Sequence, residues 1–135
     1  MGDAEAAMVR TFYQQAWNLW DDTVVDGLLS PDFGFRGSLG DEVRGRDGWR
    51  GYREKIRQAV PDFHNEIVDL VTAPGRAAVR LRYTGHHQGV MLGQQGRGQP
   101  IDYSGAAFFT CSKHHLDTAW VLGDLDSLRR QVAPG

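Results

Sequence analysis

The chain has one cysteine, Cys111, so an intramolecular disulfide is excluded. That usage fits a reducing cytoplasm, the compartment expected here. Cys111 ends the apolar run "GAAFFTC" with no neighbour in sequence to activate it. A buried, inert thiol is therefore expected. An excess of either charge is also missing. Fifteen Lys and Arg stand against seventeen Asp and Glu, for a formal net charge of -2. No basic surplus exists to hold nucleic acid or an anionic membrane, so neither is an expected partner. No uninterrupted apolar stretch approaches the length of a membrane span. The start "MGDAEAAM" is acidic where a signal peptide needs positive charge. Ala6 stands where a myristoylation motif wants Ser or Thr. Repeats and low-complexity tracts are absent as well.

What is present is ordinary globular material. The 135 residues are 41% hydrophobic and 24% charged, enough for one core, and residues 1–135 read as a single domain. Apolar residues at Ala4, Met8, Phe12, Ala16 and Leu19 predict an amphipathic first helix capped by Asp3. "DTVVDGLLSPDF" predicts a short second helix capped by Asp22 and stopped by Pro31. "SLGDEVRG" reads as a loop. Trp49, Tyr52, Ile56 and Val60 predict a third helix, with Asp47 as cap and Pro61 as stop.

The period then changes to two. "HNEIVDLVTA" and "RAAVRLRYTGHH" predict strands joined at Pro74 to Arg76. "LGQQGRGQP" reads as a Gly-rich hairpin connection, and "IDYSGAAFFTC" and "HLDTAWVL" as two further strands. A short helix closes the chain. Three helices followed by about four main antiparallel strands predict an α+β fold, with the N-terminal helices covering one face of the sheet.

The order and several local phrases resemble the SnoaL-like polyketide cyclase family, of the nuclear-transport-factor-two-like (cystatin-like) fold, in its ester cyclase-type form. The phrases are "FYQQAWN", "LLSPDF", "VPDFHNEIVDLV", "YTGHHQGVMLG", "GRGQPIDYSGAAFF" and "AWVLGDLDSLRRQV". The resemblance implies a conical antiparallel sheet, a pocket between sheet and helices, no metal or other cofactor, and a homodimer through the outer sheet face. It also implies an acid directly after the position of Trp120 and a His in the preceding strand. Here those positions hold Val121 and Phe109, and a stretch that is often polar reads Phe35-Arg36. The family's "G-x-H-x-G" His falls on His87.

Asp124 follows the run Ala119 to Gly123 and precedes a helical period. Its carboxylate can accept from the backbone of Asp126 or Ser127, so capping is the preferred reading over catalysis. His64, His86 and His87 are acid/base candidates, because imidazole titrates near neutral pH. Paired histidines at 86–87 and 114–115 lack a third ligand at a recognisable spacing, so no metal site is expected. "GQQGRG" lacks the ending and setting of a phosphate loop.

Two functions follow as expectations. The first is a cofactor-free cyclase, isomerase or hydrolase acting on a small apolar metabolite such as a polyketide intermediate. His64 or His87 would be its base. Arg36 and Tyr103 would steady negative charge, and Asp124 would orient a partner. The expected lining is Tyr13, Trp17, Phe35, Trp49, Tyr103, Phe109, Trp120 and Val121. The second is a non-catalytic binding protein using the same cavity. Loss of the family's acid favours the second, whereas the remaining His and Arg favour the first.

Overall fold

The structure is a computed structural model and describes residues 2–134. Helix α1 (Asp3–Thr11) runs on into a π turn at Phe12–Trp17. A 3-10 turn (Asp22–Val24) and α2 (Val25–Leu28) lead into β1 (Leu29–Arg36) and β2 (Glu42–Arg44). Helix α3 (Gly45–Ala59) precedes β3 (His64–Ala73) and β4 (Arg76–His87). A ribbon of β5 (Val90–Met91) and β6 (Gln94–Gln95) comes next. Strands β7 (Gln99–Cys111) and β8 (Leu116–Gly123) and helix α4 (Leu125–Val132) end the chain.

One six-stranded sheet, in the order β2-β1-β8-β7-β4-β3, carries the fold, and the helices pack on one face. The four long strands lie where the period-2 pattern predicts them. Two further strands arise where the sequence predicted a helix end and a loop. Pro31, expected as a helix stop, sits inside β1. It is tolerated because β1 pairs parallel with β8 at Leu29 and again from Gly34, with a register shift between. Pro31 lies in that interruption, where no ladder hydrogen bond needs its missing N–H. The pattern search missed β2 because three residues are too few to show alternation.

The helix starts also differ from expectation. Gly2 caps α1 without a side-chain bond, and Arg44 precedes α3 likewise. Asp47 instead accepts from the Arg50 guanidinium at 2.9 Å. Asp21, not Asp22, caps the 3-10 turn by accepting from the Thr23 N–H. Asp22 accepts from Arg50 and Arg53 at 2.9 and 2.7 Å, and these bonds hold its carboxyl below the usual range. The expected cap at Asp124 forms, its Oδ1 accepting from the Ser127 N–H at 3.1 Å.

The π turn decides what the first helix buries. The Asn18 N–H donates to the Tyr13 carbonyl at 2.9 Å, five residues back. The wider turn brings two neighbouring pairs, Phe12 with Tyr13 and Ala16 with Trp17, into the core. Leu19, assigned by the regular helical period to the apolar stripe, is 68% exposed because the helix has ended and the phase has moved. Phe12 is the aromatic hub. Its ring meets those of Trp17, Phe33, Phe35, Trp49 and Phe109 at centroid distances of 5.3 to 6.5 Å.

Candidate functional site: an aromatic cavity under a short loop

A small cavity lies between the π turn, α3 and the inner face of the sheet. Its walls are Tyr13 and Trp17 from the π turn, Tyr52 and Ile56 from α3, Phe63, Asn65 and Tyr83 from the β3–β4 end, and Phe35, Ser38 and Val121. The rings hold one another in place. Trp17 meets Tyr52 edge-on at 6.2 Å, Phe35 lies 5.1 Å from Tyr52, and Phe63 stacks on Tyr83 at 5.5 Å. No charged side chain and no histidine stands in this wall among the described residues.

Glycines make room for the phenols. A Cβ on Gly37 would lie 2.3 Å from the Tyr52 hydroxyl oxygen, and one on Gly105 would lie 2.4 Å from the Tyr83 ring. Both positions therefore exclude a side chain while those tyrosines keep their seats.

Burial keeps these phenols neutral. It pushes Tyr52 up to about 12, with partial relief from the Leu39 backbone and the Ser38 side chain. It raises Tyr13 and Tyr83 well above the ordinary phenol value, and Tyr103 beside them in the same way. They can donate hydrogen bonds but are poor bases at neutral pH. Asn65 is held by Asn18. The Asn18 Oδ1 accepts from the Asn65 backbone N–H at 2.8 Å and from its Nδ2 at 3.1 Å. The Asn18 Nδ2 donates to the Asn65 carbonyl at 2.9 Å. This clasp ties the end of the π turn to β3.

The enclosed space is about 20 Å³ for the centre of a water-sized sphere, room for about one water. By the same measure an outer chamber of about 270 Å³ lies beside it, lined by Leu39, Ile56, Ala59, Met91 and Leu92 among others. Ile56 borders both spaces, and consecutive residues Ser38 and Leu39 face one each. A change in the Ile56 rotamer or in the Gly37–Asp41 loop is what separates two small spaces from one ligand-sized cleft. That loop is closed on itself by the Gly37 N–H donating to the Asp41 carbonyl at 2.9 Å, and Lys55 holds the Asp41 carboxylate at 2.6 Å on the rim.

The expected site residues divide sharply. Tyr13, Trp17, Phe35 and Val121 line the cavity. Trp49, Tyr103 and Phe109 are buried in the surrounding core and do not form the wall. Trp120 faces the other side of the sheet, 46% exposed, because Val121 takes the inner position and neighbours on a strand point oppositely. Arg36 is on that outer side too. Its Nη1 donates to the Val121 carbonyl at 2.6 Å and its guanidinium lies 4.9 Å from the Trp120 ring. It therefore does not reach the cavity.

The histidines are not brought there either. His64 is exposed on β3, and its neighbour Asn65 takes the inner position. His86 is exposed and paired with Asp62 at 2.6 Å. His87 is fully buried near α4, its Nδ1 3.0 Å from Gln99 Nε2, and is absent from the cavity wall. Asp124 is used as a cap. None of the four residues read as catalytic, His64, His87, Arg36 and Asp124, lies in the wall. The sequence reading did not single out Ser38, Ile56, Phe63 and Asn65. For Asn65 the signal was strand parity, which places either it or His64 inward but never both.

A curved, mainly antiparallel sheet with helices on one face and an enclosed cavity between them defines a cone-shaped α+β small-molecule fold. The family model for the SnoaL-like polyketide cyclase matches residues 7–132, and the chain belongs to that family. Among solved structures, a candidate SnoaL-like polyketide cyclase from Jannaschia sp. CCS1 superposes with a TM-score of 0.87 at 18% identity, covering 98% of this chain and 94% of that one. TsrD from Streptomyces laurentii gives 0.83 at 23% identity, covering 96% and 95%. IdmH from Streptomyces antibioticus, a candidate polyketide cyclase, gives 0.81 at 21% identity, covering 93% and 96%. These likenesses establish the shared fold. No curated protein matches the chain.

Proposed function

We propose that this chain is a cofactor-free enzyme of the polyketide-cyclase type, acting on a small, neutral, largely apolar metabolite in the aromatic cavity. The observation that carries this reading is a wall of aromatic rings with no charged side chain, next to a chamber that opens toward solvent. Such a wall favours a flat, uncharged body, because no ion must be desolvated to enclose it. Ring closure within one chain gains most from being held in a reactive shape, and this needs a rigid box more than a reactive side chain. Family membership and the candidate cyclases of like fold support the same class. The acid/base pairs expected from His64, His87 and Asp124 are not part of this proposal, since those residues lie outside the wall.

A second reading is a carrier that binds the same metabolite without converting it. The missing carboxylate and imidazole favour it, because a buried phenol does not serve as a base at neutral pH. Incubation with a linear poly-β-ketone thioester separates the two. The enzyme reading expects ring closure faster than in buffer or with heat-denatured protein. Tight binding in equilibrium dialysis with an unchanged closure rate establishes the carrier, and absence of both overturns both.

The protein is further proposed to be a homodimer through the outer sheet face. Phe108, Trp120 and Leu122 are 55%, 46% and 50% exposed there, an apolar patch of the kind that marks an interface.

A further inference from the structure

Three phenols stand in the cavity wall, Tyr13, Tyr52 and Tyr83. Among the described residues only one of them, Tyr13, has a buried hydroxyl without any hydrogen-bond partner. The residue is 2% exposed, so the hydroxyl is not hydrated from outside. Its ring is fixed by edge-on contacts with Phe12 at 5.0 Å and Phe109 at 6.0 Å. Tyr52, by contrast, has the Leu39 backbone and the Ser38 side chain close by. A buried polar group without a partner lowers stability, and folded proteins keep few of them. The position tolerates a phenylalanine on every steric ground, since only the hydroxyl would go.

We infer that the Tyr13 hydroxyl is a recognition donor for an oxygen acceptor on the ligand, and that the metabolite is a neutral aromatic or extended ketone whose carbonyl reaches the π-turn side of the cavity. This rests on the proposed occupation of the cavity by an apolar metabolite. The neutral phenol matches a carbonyl, which needs a donor and carries no charge. The surrounding wall excludes a carboxylate, since no cation stands there to pair with it. Tyr13 is held by a helix turn packed on the sheet and not by a loop, so the donor is preorganised. The same bond strengthens if negative charge develops on the ligand oxygen, as in an enolate, because charge-assisted hydrogen bonds exceed neutral ones.

Two matched probes test this, 2-acetylnaphthalene and 2-ethylnaphthalene, with binding followed by quenching of tryptophan fluorescence. The parent protein is expected to prefer the ketone by about tenfold, the size of one hydrogen bond inside a dry site. Tyr13→Phe is expected to abolish that preference while leaving the hydrocarbon's affinity unchanged. It should melt no lower than the parent, because it removes an unpartnered group. Tyr52→Phe should keep the preference. A preference that survives Tyr13→Phe overturns the inference and leaves the cavity reading standing, provided both probes bind. Failure of either probe to bind the parent overturns the cavity reading and this inference with it. A lower melting temperature in Tyr13→Phe also overturns it, since that result marks a structural hydrogen bond.

Discussion

Phe108 and Phe109 are neighbours on β7, yet Phe108 is 55% exposed and Phe109 only 1%. The same contrast recurs on β8, where Val121 is 4% and Leu122 50% exposed. One face of the sheet is a dry layer under the helices, rich in rings and neutral phenols. The other mixes apolar side chains with charge. There Arg36 lies over Trp120, and Arg82 donates to Asp102 at 2.9 Å. The difference teaches that the sheet separates two tasks by parity alone. The inner face can enclose a neutral ligand, while the outer one suits a second protein surface.

Truncating the two phenylalanines is the most forceful way to break that comparison. Phe109→Ala should destabilise by about 3–5 kcal/mol, because it empties a ring site in the packed core. Phe108→Ala should fall within about 1 kcal/mol in the monomer, measured by urea unfolding under dilute conditions. Equal losses at both positions would show that the outer face is core-like.

Adding charge sharpens the contrast. Val121→Asp should cost about 3 kcal/mol at neutral pH, since the wall offers no cation to the new carboxylate. Desolvation raises that carboxyl's folded-state pKa. The penalty is therefore full above the raised value and shrinks as pH falls toward the unfolded carboxyl value of about 4. Leu122→Asp should leave monomer stability nearly unchanged but dissociate the proposed homodimer, read by sedimentation at tens of micromolar (about the range of a stable interface). A parent that sediments as a monomer there defeats the dimer proposal.

The smallest effect concerns the end of β8, where the chain leaves both faces. Asp124→Ala should lose about 1 kcal/mol, and Asp124→Asn close to nothing, because either Asp or Asn accepts from the Ser127 N–H. Thermal melts of the two variants decide it. Equal, large losses in both would mean that the charge and not the cap matters.

Much of the fold was legible. The four long strands follow from alternation, α3 from the spacing of Trp49, Tyr52 and Ile56, and the last cap from Asp124 before a helical period. The hidden parts have physical causes. β1 carries Pro31, which local rules read as a helix stop, and only pairing with β8 across a register shift makes it a strand. The π turn leaves no mark in a 3.6-residue pattern, yet it decides that Leu19 faces water. Some errors at the site were readable in advance. Val121 with Trp120, and Phe35 with Arg36, cannot each place both members in one cavity, because strand neighbours face opposite ways.

By itself, then, the sequence determined the alternation along each long strand, the absence of a disulfide and the cap at Asp124, all of them set by covalent chemistry or by residues a few positions apart. Tertiary structure alone decided which aromatic rings enclose space and which merely pack. It also decided that His64 and His87 stand apart from the cavity and that the Tyr13 hydroxyl is buried without a partner. Those outcomes depend on how α1, α3 and the Gly37–Asp41 loop meet the sheet. Such non-local contacts are settled by packing many side chains at once, and no short stretch of sequence encodes them.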